Sequence, residues 1–470
     1  MVLAAGEGKR MHSALPKVMH PLLGRPLLGH VLTAAEPLGA ERTVVVVGHG
    51  AEQVTDYLLE IVPQAVTALQ KEQLGTGHAT WMGLEAIDGV TGTVIVLLGD
   101  TPLLRSETIA DLVRRHEEAG AAATVLTAEL SDPTGLGRIV RDDSGEVTGI
   151  VEERDATALQ RKIREINSGV MAFDAEALRS TLQRLTRHND QGEEYLTDTI
   201  GLLAAEGLPV GAFAAADFTE ILGCNDRAQL ADLRCLLRDR LNRDHMRAGV
   251  TMIDPSSAWI DVTVSLEPDV TLEPGVILRG DCVVRSGATV GPDTTLVDCT
   301  VGKVASVIRA HAMGAEIGDG AQVGPFAYLR PGSILHEKAK VGTFVETKQT
   351  TVGAGAKVPH LTYAGDATIG AGANIGAATI FVNYDGVNKN HTVVGESAFV
   401  GCDTCLVAPV EIGPGAYVAA GSVITKDVPA GALGVTRAAQ RNIEGWVQRR
   451  RPGSRAADAV ERAQSEASRT

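Results

Sequence analysis

The chain has 470 residues, room for two or three domains, and a formal net charge of −15. That charge argues against nucleic acid or an anionic membrane surface as a partner, so any phosphate must be held by local cations and backbone amides. No run approaches the ~20 apolar residues of a membrane span, and residues 1–6 are too short and too soon followed by charge for a signal peptide, which points to the cytoplasm.

The first strand runs through Leu3-Ala4-Ala5 into a loop, Gly6-Glu7-Gly8-Lys9-Arg10-Met11. Closely spaced glycines let backbone N–H groups approach a polyphosphate with no Cβ in the way. Arg10 and Lys17 add the cations that a triphosphate requires. The loop lacks the Gly-Lys-Ser/Thr ending of a P-loop, and no acidic residue stands about 20 residues on, as a dinucleotide loop demands. An ordinary ATPase and an NAD enzyme are both set aside. Only Met1 and Val2 precede Leu3, where the fold calls for a strand of about five residues. Either the first strand is clipped or the natural start lies upstream.

Residues 43–48 and 93–100 read as strands buried on both faces, and 106–118 as a helix with a Ser cap. Alternation of this kind predicts a mostly parallel, Rossmann-like α/β domain over residues 1–227. Asp100 ends a buried strand, where a lone carboxylate can take a magnesium ion; read alone, it is more often a turn-forming Asp. Residues 228–248 are helical and charged and form a linker helix. A second domain follows over 249–470.

That domain repeats every six residues. Ile317, Val323, Leu329, Leu335 and Val341 keep this spacing, as do Val394, Val400, Leu406, Ile412, Val418 and Ile424. Small residues follow several of them. This is the hexapeptide signature of a parallel β-helix, in which three hexapeptides close one coil and each aliphatic residue points inward. About ten coils, each rising about 4.8 Å, give roughly 50 Å of β-helix. The repeat falters around 299–315 and 379–391, and stops beyond Arg437. Residues from about 449 are Arg-rich, then Ala/Glu/Ser-rich, and are expected to be disordered. Cys402 and Cys405 form a C-x-x-C, but inside the hexapeptide register, without a second ligand pair, they read as ordinary coil residues.

The loop 3–11, followed by Leu15-Pro16-Lys17, resembles the opening of the sugar-1-phosphate nucleotidyltransferases. Residues 70–79, Leu98-Gly99-Asp100, 137–140, 150–153, 165–169 and Gly223-Cys224-Asn225 follow in that family's order. The hexapeptide region carries His360-Leu361-Thr362-Tyr363-Ala364-Gly365-Asp366 and Asn383-Tyr384-Asp385-Gly386. Over about residues 1–445 the chain thus resembles the bifunctional N-acetylglucosamine-1-phosphate uridylyltransferase / glucosamine-1-phosphate N-acetyltransferases.

The resemblance implies UTP, glucosamine-1-phosphate, N-acetylglucosamine-1-phosphate and acetyl-CoA as substrates. It further implies Mg2+ as cofactor, a left-handed β-helix and a homotrimer. Asp100 and Asn225 would hold the metal. Leu3, Ala4, Ala5 and Gly6 would cradle the nucleotide, Lys17 would contact phosphate and Arg10 would steady the transition state. Gln70, Gly75 and Thr76 would read uracil; Gly137, Glu152 and Asn167 would hold the amino sugar. Acetylating an amine needs a base, and histidine suits this near neutral pH. Of His311, His336, His360 and His391, only His360 lies in the family motif. Tyr363, Asn374, Asn383, Tyr384 and Lys389 would surround the second sugar or its phosphate, with Arg330 and Lys348 as cations. Ala377, Asn383, Tyr384, Cys402, Ala420 and Arg437 match positions toward coenzyme A. The family usually has Ser at position 402, and a thiol donates a weaker hydrogen bond.

A single-function nucleotidyltransferase with a structural hexapeptide tail is the main alternative. It has no use for the motifs at 360–366 and 383–386. A γ-type carbonic anhydrase needs three convergent His that this spacing does not supply. A non-enzymatic regulatory subunit has no use for an intact Asp100 and Asn225.

Overall fold

The computed structural model describes residues 1–468 and divides into two compact units, 1–314 and 315 onward. In chain order the main elements of the first are β1 (Val2–Ala4), α1 (Leu27–Ala35), β2 (Val44–Val47), α2 (Ala51–Ile61), β3 (Val66–Leu69), α3 (Thr76–Glu85), β4 (Thr93–Leu98) and α4 (Ser106–Ala119). Then come β5 (Ala123–Glu129), β6 (Arg138–Arg141), β7 (Val147–Val151), β8 (Glu165–Asp174), α5 (Ala175–Leu182), α6 (Asp198–Ala205), β9 (Val210–Ala214) and α7 (Arg227–Arg247).

The sheet order is β9-β5-β8-β4-β1-β2-β3, with the β6–β7 hairpin paired to β8. β1 runs parallel to β2 and β4, β2 to β3, and β5 to β9. β8 is the antiparallel exception, opposed to both β4 and β5. The four valines of β2 show why the sequence carries no alternation there. Val44 and Val46 pack into one core with Leu84 and Phe173, whereas Val45 and Val47 pack into another with Leu28, Leu58 and Ile109. A strand covered on both faces needs apolar residues at every position. β1 is three residues long, not about five. It lies between β4 and β2, so the loops leaving β1 and β4 open together at a topological switch point, where such sheets bind ligands.

α7 is capped by Asp226, which accepts from Gln229 N, and it buries Leu230, Leu233 and Leu237 on one face. These pack with Met11, Leu22, Leu27 and Leu103, and with Trp259 and Val262 of the first coil. Asn242 donates to Pro255 O and Ala258 O, and Arg238 stacks on Trp259 at 4.7 Å. The helix therefore fastens the first coils to the α/β domain. The compact units divide at residue 314, whereas the sequence reading begins its second domain at 249.

Short parallel strands build the coils in both units. In the first, Thr251 stacks on Thr271, Thr271 on Thr289, and Thr289 on Ser306. In the second, Lys340 stacks on Lys357, Lys357 on Asn374, and Asn374 on Phe399. All eleven aliphatic residues named for the hexapeptide repeat are at most 3 % exposed. Coils return after about 18 residues when three hexapeptides are complete. The faltering near 300 is a coil one residue short, Val283 stacking on Thr300. That near 380 is an insertion, Ile380 stacking on Cys405, which throws out the loop around 383–391.

The expected disorder beyond 449 is replaced by helices, α8 (Trp446–Arg450) and α9 (Arg455–Ala467). Ala, Glu and Arg are strong helix formers, and Ser454 caps α9 by accepting from Ala457 N.

Candidate active sites

The first site forms where β1 and β4 end. Gly8 has φ +63°, and a Cβ there would stand 2.7 Å from Lys17 Cβ, so glycine is what lets Lys17 turn inward. The Lys17 ammonium pairs with the Asp100 carboxylate and donates to Asn225 Oδ1 at 3.3 Å. The two expected metal ligands thus converge on one positive charge. Two oxygen ligands leave room for water and substrate phosphate, which suits magnesium. Among the described residues no group of three or more His, Cys, Asp or Glu could hold a metal ion. Lys17 itself is engaged by these ligands rather than turned to solvent as a free phosphate contact.

A cavity of about 310 Å³ is lined by Leu3, Ala4, Ala5, Gly6, Lys17, Gln70, Gly75, Thr76 and Asp100, nine of the expected residues. A second, of about 240 Å³, is lined by Arg10, Lys17 and Asn225. Gln70 is buried; its Nε2 donates to Gly75 O at 3.0 Å and contacts His78 Nδ1 at 3.0 Å. Gln73 donates to Ala5 O at 2.8 Å and so ties the loop of the expected uracil readers to the glycine loop after β1.

Gly137, Glu152 and Asn167 do not line the larger cavity. They form a patch across β6, the end of β7 and β8. Asn167 N donates to Gly137 O at 2.9 Å, and a Cβ on Gly137 would meet the Glu152 carboxylate at 3.3 Å. Burial pushes the Glu152 carboxyl above the usual carboxylate range, against a lowering hydrogen bond from Thr197 Oγ1 at 3.1 Å. The preceding residue, Leu196, donates its N–H to Thr76 Oγ1 at 3.0 Å. Residues 196–197 therefore join the expected uracil reader to the expected sugar reader. The sequence reading missed this link; the only signal was polar Tyr195-Leu196-Thr197-Asp198 entering α6.

The second site lies wholly in the second unit. Parallel stacking turns outward residues into columns, such as Tyr328–Glu346–Tyr363–Ile380. Arg330 donates to Glu346 Oε1 at 2.9 Å, and Lys348 lies 3.6 Å from Asp366 Oδ2. Asn383 donates to Asp366 Oδ2 at 2.5 Å and to Tyr363 Oη at 3.3 Å. Lys389 is lowered by a hydrogen bond with Lys348 and by its like charge. Arg330, Lys348 and Lys389 thus gather three cationic side chains, with Glu346 and Asp366 as counter-charges to the first two. Glu346 and Asp366 are further members of this cluster that the sequence reading did not assign.

His360 ends a strand at a coil corner, just before Leu361 with φ +48°. It is exposed, and among the described residues none hydrogen-bonds its ring. Asn374 lies on the same ladder one coil on, opposite Lys357. From His360 the coenzyme A candidates climb one edge of the coils. Ala378 N donates to His360 O, Asp403 N to Ala377 O and Gly421 N to Cys402 O; Arg437 Nη1 donates to Ala420 O at 2.9 Å. Ala377, Cys402, Ala420 and Arg437 are thus in sequence along that edge. Asn383 and Tyr384 are not part of it. The Asn383 side chain joins the Asp366 cluster, and Tyr384 Oη donates to Gly386 O at 2.6 Å within the inserted loop. Cys402 and Cys405 are free thiols.

Residues 1–238 match the MobA-like NTP transferase domain family, and residues 391–426 match the bacterial transferase hexapeptide (six repeats) family. The chain is 57 % identical over 463 residues to the bifunctional protein GlmU of Streptomyces avermitilis, covering 98 % of this chain and 96 % of the relative. Against the proteins of the same name from Streptomyces coelicolor and Kineococcus radiotolerans, identity is 56 % and 55 %, covering 99 % and 100 % of this chain and 97 % and 96 % of the relatives. With a nucleotidyltransferase domain followed by hexapeptide repeats, and identity of this order along nearly its whole length, the chain belongs to the family of the bifunctional GlmU proteins.

Proposed function

We propose that the chain makes UDP-N-acetylglucosamine, a precursor for peptidoglycan, in two steps at these two sites. In the first step, the amine of glucosamine-1-phosphate attacks the thioester of acetyl-CoA. His360 accepts the proton that the amine loses, and coenzyme A leaves as the thiol. Arg330, Lys348 and Lys389 hold the sugar phosphate, and the edge bearing Ala377, Cys402, Ala420 and Arg437 takes the pantetheine arm, whose approach small side chains permit. In the second step, a phosphate oxygen of N-acetylglucosamine-1-phosphate attacks the α-phosphorus of UTP and pyrophosphate leaves. Two polyanions must meet, so positioning and charge neutralisation carry the catalysis. Lys17 and Arg10 supply fixed cations. Gln70, Gly75 and Thr76 select the base, and Gly137, Glu152 and Asn167 hold the sugar. Magnesium held by Asp100 and Asn225 would neutralise triphosphate charge.

The observation that carries this reading is the convergence of Asp100 and Asn225 on Lys17, which lines both cavities, in a chain whose coils also carry His360 and a cluster of Arg330, Lys348 and Lys389. Exposed aromatic residues on the coils, among them Phe326 and Phe344 stacked at 5.6 Å, support a homotrimer through the β-helix. Among the described residues no helix is long and apolar enough to cross a membrane, in keeping with a cytoplasmic enzyme. The test is an incubation with glucosamine-1-phosphate, acetyl-CoA, UTP and Mg2+, following coenzyme A and pyrophosphate release separately. Coenzyme A release should need no UTP, and pyrophosphate release from glucosamine-1-phosphate should need acetyl-CoA. Pyrophosphate release at full rate without acetyl-CoA would overturn the proposed order.

A further inference from the structure

We propose that Arg138 is a positioning residue for uridylyl transfer, a buried guanidinium that fixes Gly137, Glu152 and Asn167 from the opposite face of their strands. The inference rests on the assignment of those three residues to the amino sugar.

Arg138 is 1 % exposed. A cation so buried is costly unless its charge is paired and its donors are satisfied. Here Nε donates to Ile163 O at 3.1 Å, Nη1 donates to Leu136 O, and Nη2 donates to Glu153 Oε2 at 2.6 Å. Glu153 also accepts Gly135 N at 3.3 Å and lies 3.6 Å from Arg161. One side chain thereby ties together the loop entering β6, the turn leaving β7 and the turn entering β8.

The register explains why this matters for the pocket. Arg138 is the strand partner of Val151 in β7 and of Ile166 in β8. Gly137 is its chain neighbour, Glu152 follows Val151, and Asn167 follows Ile166. Side chains alternate between faces along a strand, so the three sugar candidates share the face that Arg138 does not use. Gly137 and Glu152 are each one residue from a group the guanidinium holds, Leu136 O and Glu153, and Asn167 follows Ile166, the strand partner of Arg138. The Gly137 carbonyl accepts from Asn167 N, and Gly137 sits against the Glu152 carboxylate. Loosening the anchor shifts all three groups together, whereas the UTP cavity is lined by other residues.

The test is steady-state uridylyl transfer by the full chain, varying N-acetylglucosamine-1-phosphate and UTP in turn. The variants are Arg138→Met, Arg138→Lys and Glu153→Gln, with Glu152→Ala as reference, circular dichroism and thermal melting as controls for folding, and acetyl transfer as a control for enzyme concentration. In Arg138→Met the KM for the sugar phosphate should rise roughly tenfold or more while that for UTP stays within about twofold. Arg138→Lys keeps the charge but cannot make three directed bonds, and should fall between Arg138→Met and the wild type. If the Arg138 variants do not fold, Glu153→Gln decides by the same split. Sugar and UTP KM values that are both unchanged, or that rise together, overturn the proposal. If Glu152→Ala impairs sugar binding and the Arg138 variants do not, only the positioning role fails. If Glu152→Ala itself leaves the sugar KM unchanged, the pocket assignment fails and the proposal with it.

Discussion

Asp100→Ala should separate the two activities. The Asp100 side chain is 17 % exposed and its partner Lys17 is 15 % exposed, so their pair is shielded but not buried. Breaking it should cost about 1–2 kcal/mol of stability, between the values for exposed pairs and those for fully buried ones. A folded domain with about 5–15 kcal/mol in hand survives that loss. The catalytic loss is larger. A metal ligand and its charge stabilisation are worth several kcal/mol, and about 4 kcal/mol corresponds to roughly 10³-fold in rate. Uridylyl transfer, followed as pyrophosphate release from N-acetylglucosamine-1-phosphate and UTP, should therefore fall about 10³-fold. Acetyl transfer by the same preparation should be unchanged, because its candidate residues all lie from Arg330 onward, in the other compact unit. Equal loss of both activities in a folded variant refutes the two-site account. Uridylyl transfer within about tenfold of wild type would refute the metal role of Asp100.

His360→Ala should lower the acetylation rate about 10²–10⁴-fold with little change in KM; a folded variant with the wild-type rate places the base elsewhere. Burial raises the Glu152 carboxyl, so above both its folded and unfolded pKa the ionised form costs stability. Glu152→Gln should then melt higher at neutral pH, bind the sugar phosphate more weakly, and lose its thermal advantage below the usual carboxylate range, where Glu152 is neutral in both states. An equal or lower melting temperature at neutral pH contradicts this. Cys402→Ser should lower the KM for acetyl-CoA by restoring a stronger donor on the coenzyme edge, and an unchanged KM would remove Cys402 from that site. Light scattering on the full chain should give three copies per particle, and an active monomer would exclude a trimer-dependent site.

The inward face of the β-helix was legible because each coil must stack an aliphatic side chain on the next, which leaves a period of six. Asp100 and Lys17 were legible because a phosphate loop and a strand-end carboxylate follow local patterns. Their mutual pairing was not, since it depends on Lys17 turning in over Gly8 and on Asn225 returning from far along the chain. The contact between Asn383 and Asp366 was hidden for a related reason. It depends on coils of unequal length around the inserted loop, and hexapeptide spacing does not fix their register. Arg138 stood in the sequence only as part of the 137–140 motif, with no role of its own. Its importance appears only when three backbone segments distant in sequence are seen to meet on its guanidinium. The tail was misread because Ala, Glu and Ser mark disorder and helix alike, and the cap at Ser454 decides between them.

The central claim is that one chain carries two chemically independent sites linked by a released intermediate. It is tested most directly by mixing two inactive variants, Asp100→Ala and His360→Ala, and supplying glucosamine-1-phosphate, acetyl-CoA, UTP and Mg2+. Each variant alone should make almost no UDP-N-acetylglucosamine. The mixture should make it steadily after a lag, as N-acetylglucosamine-1-phosphate released by the first variant reaches the nucleotidyl site of the second. A mixture of folded variants that remains as inactive as either alone would contradict the account.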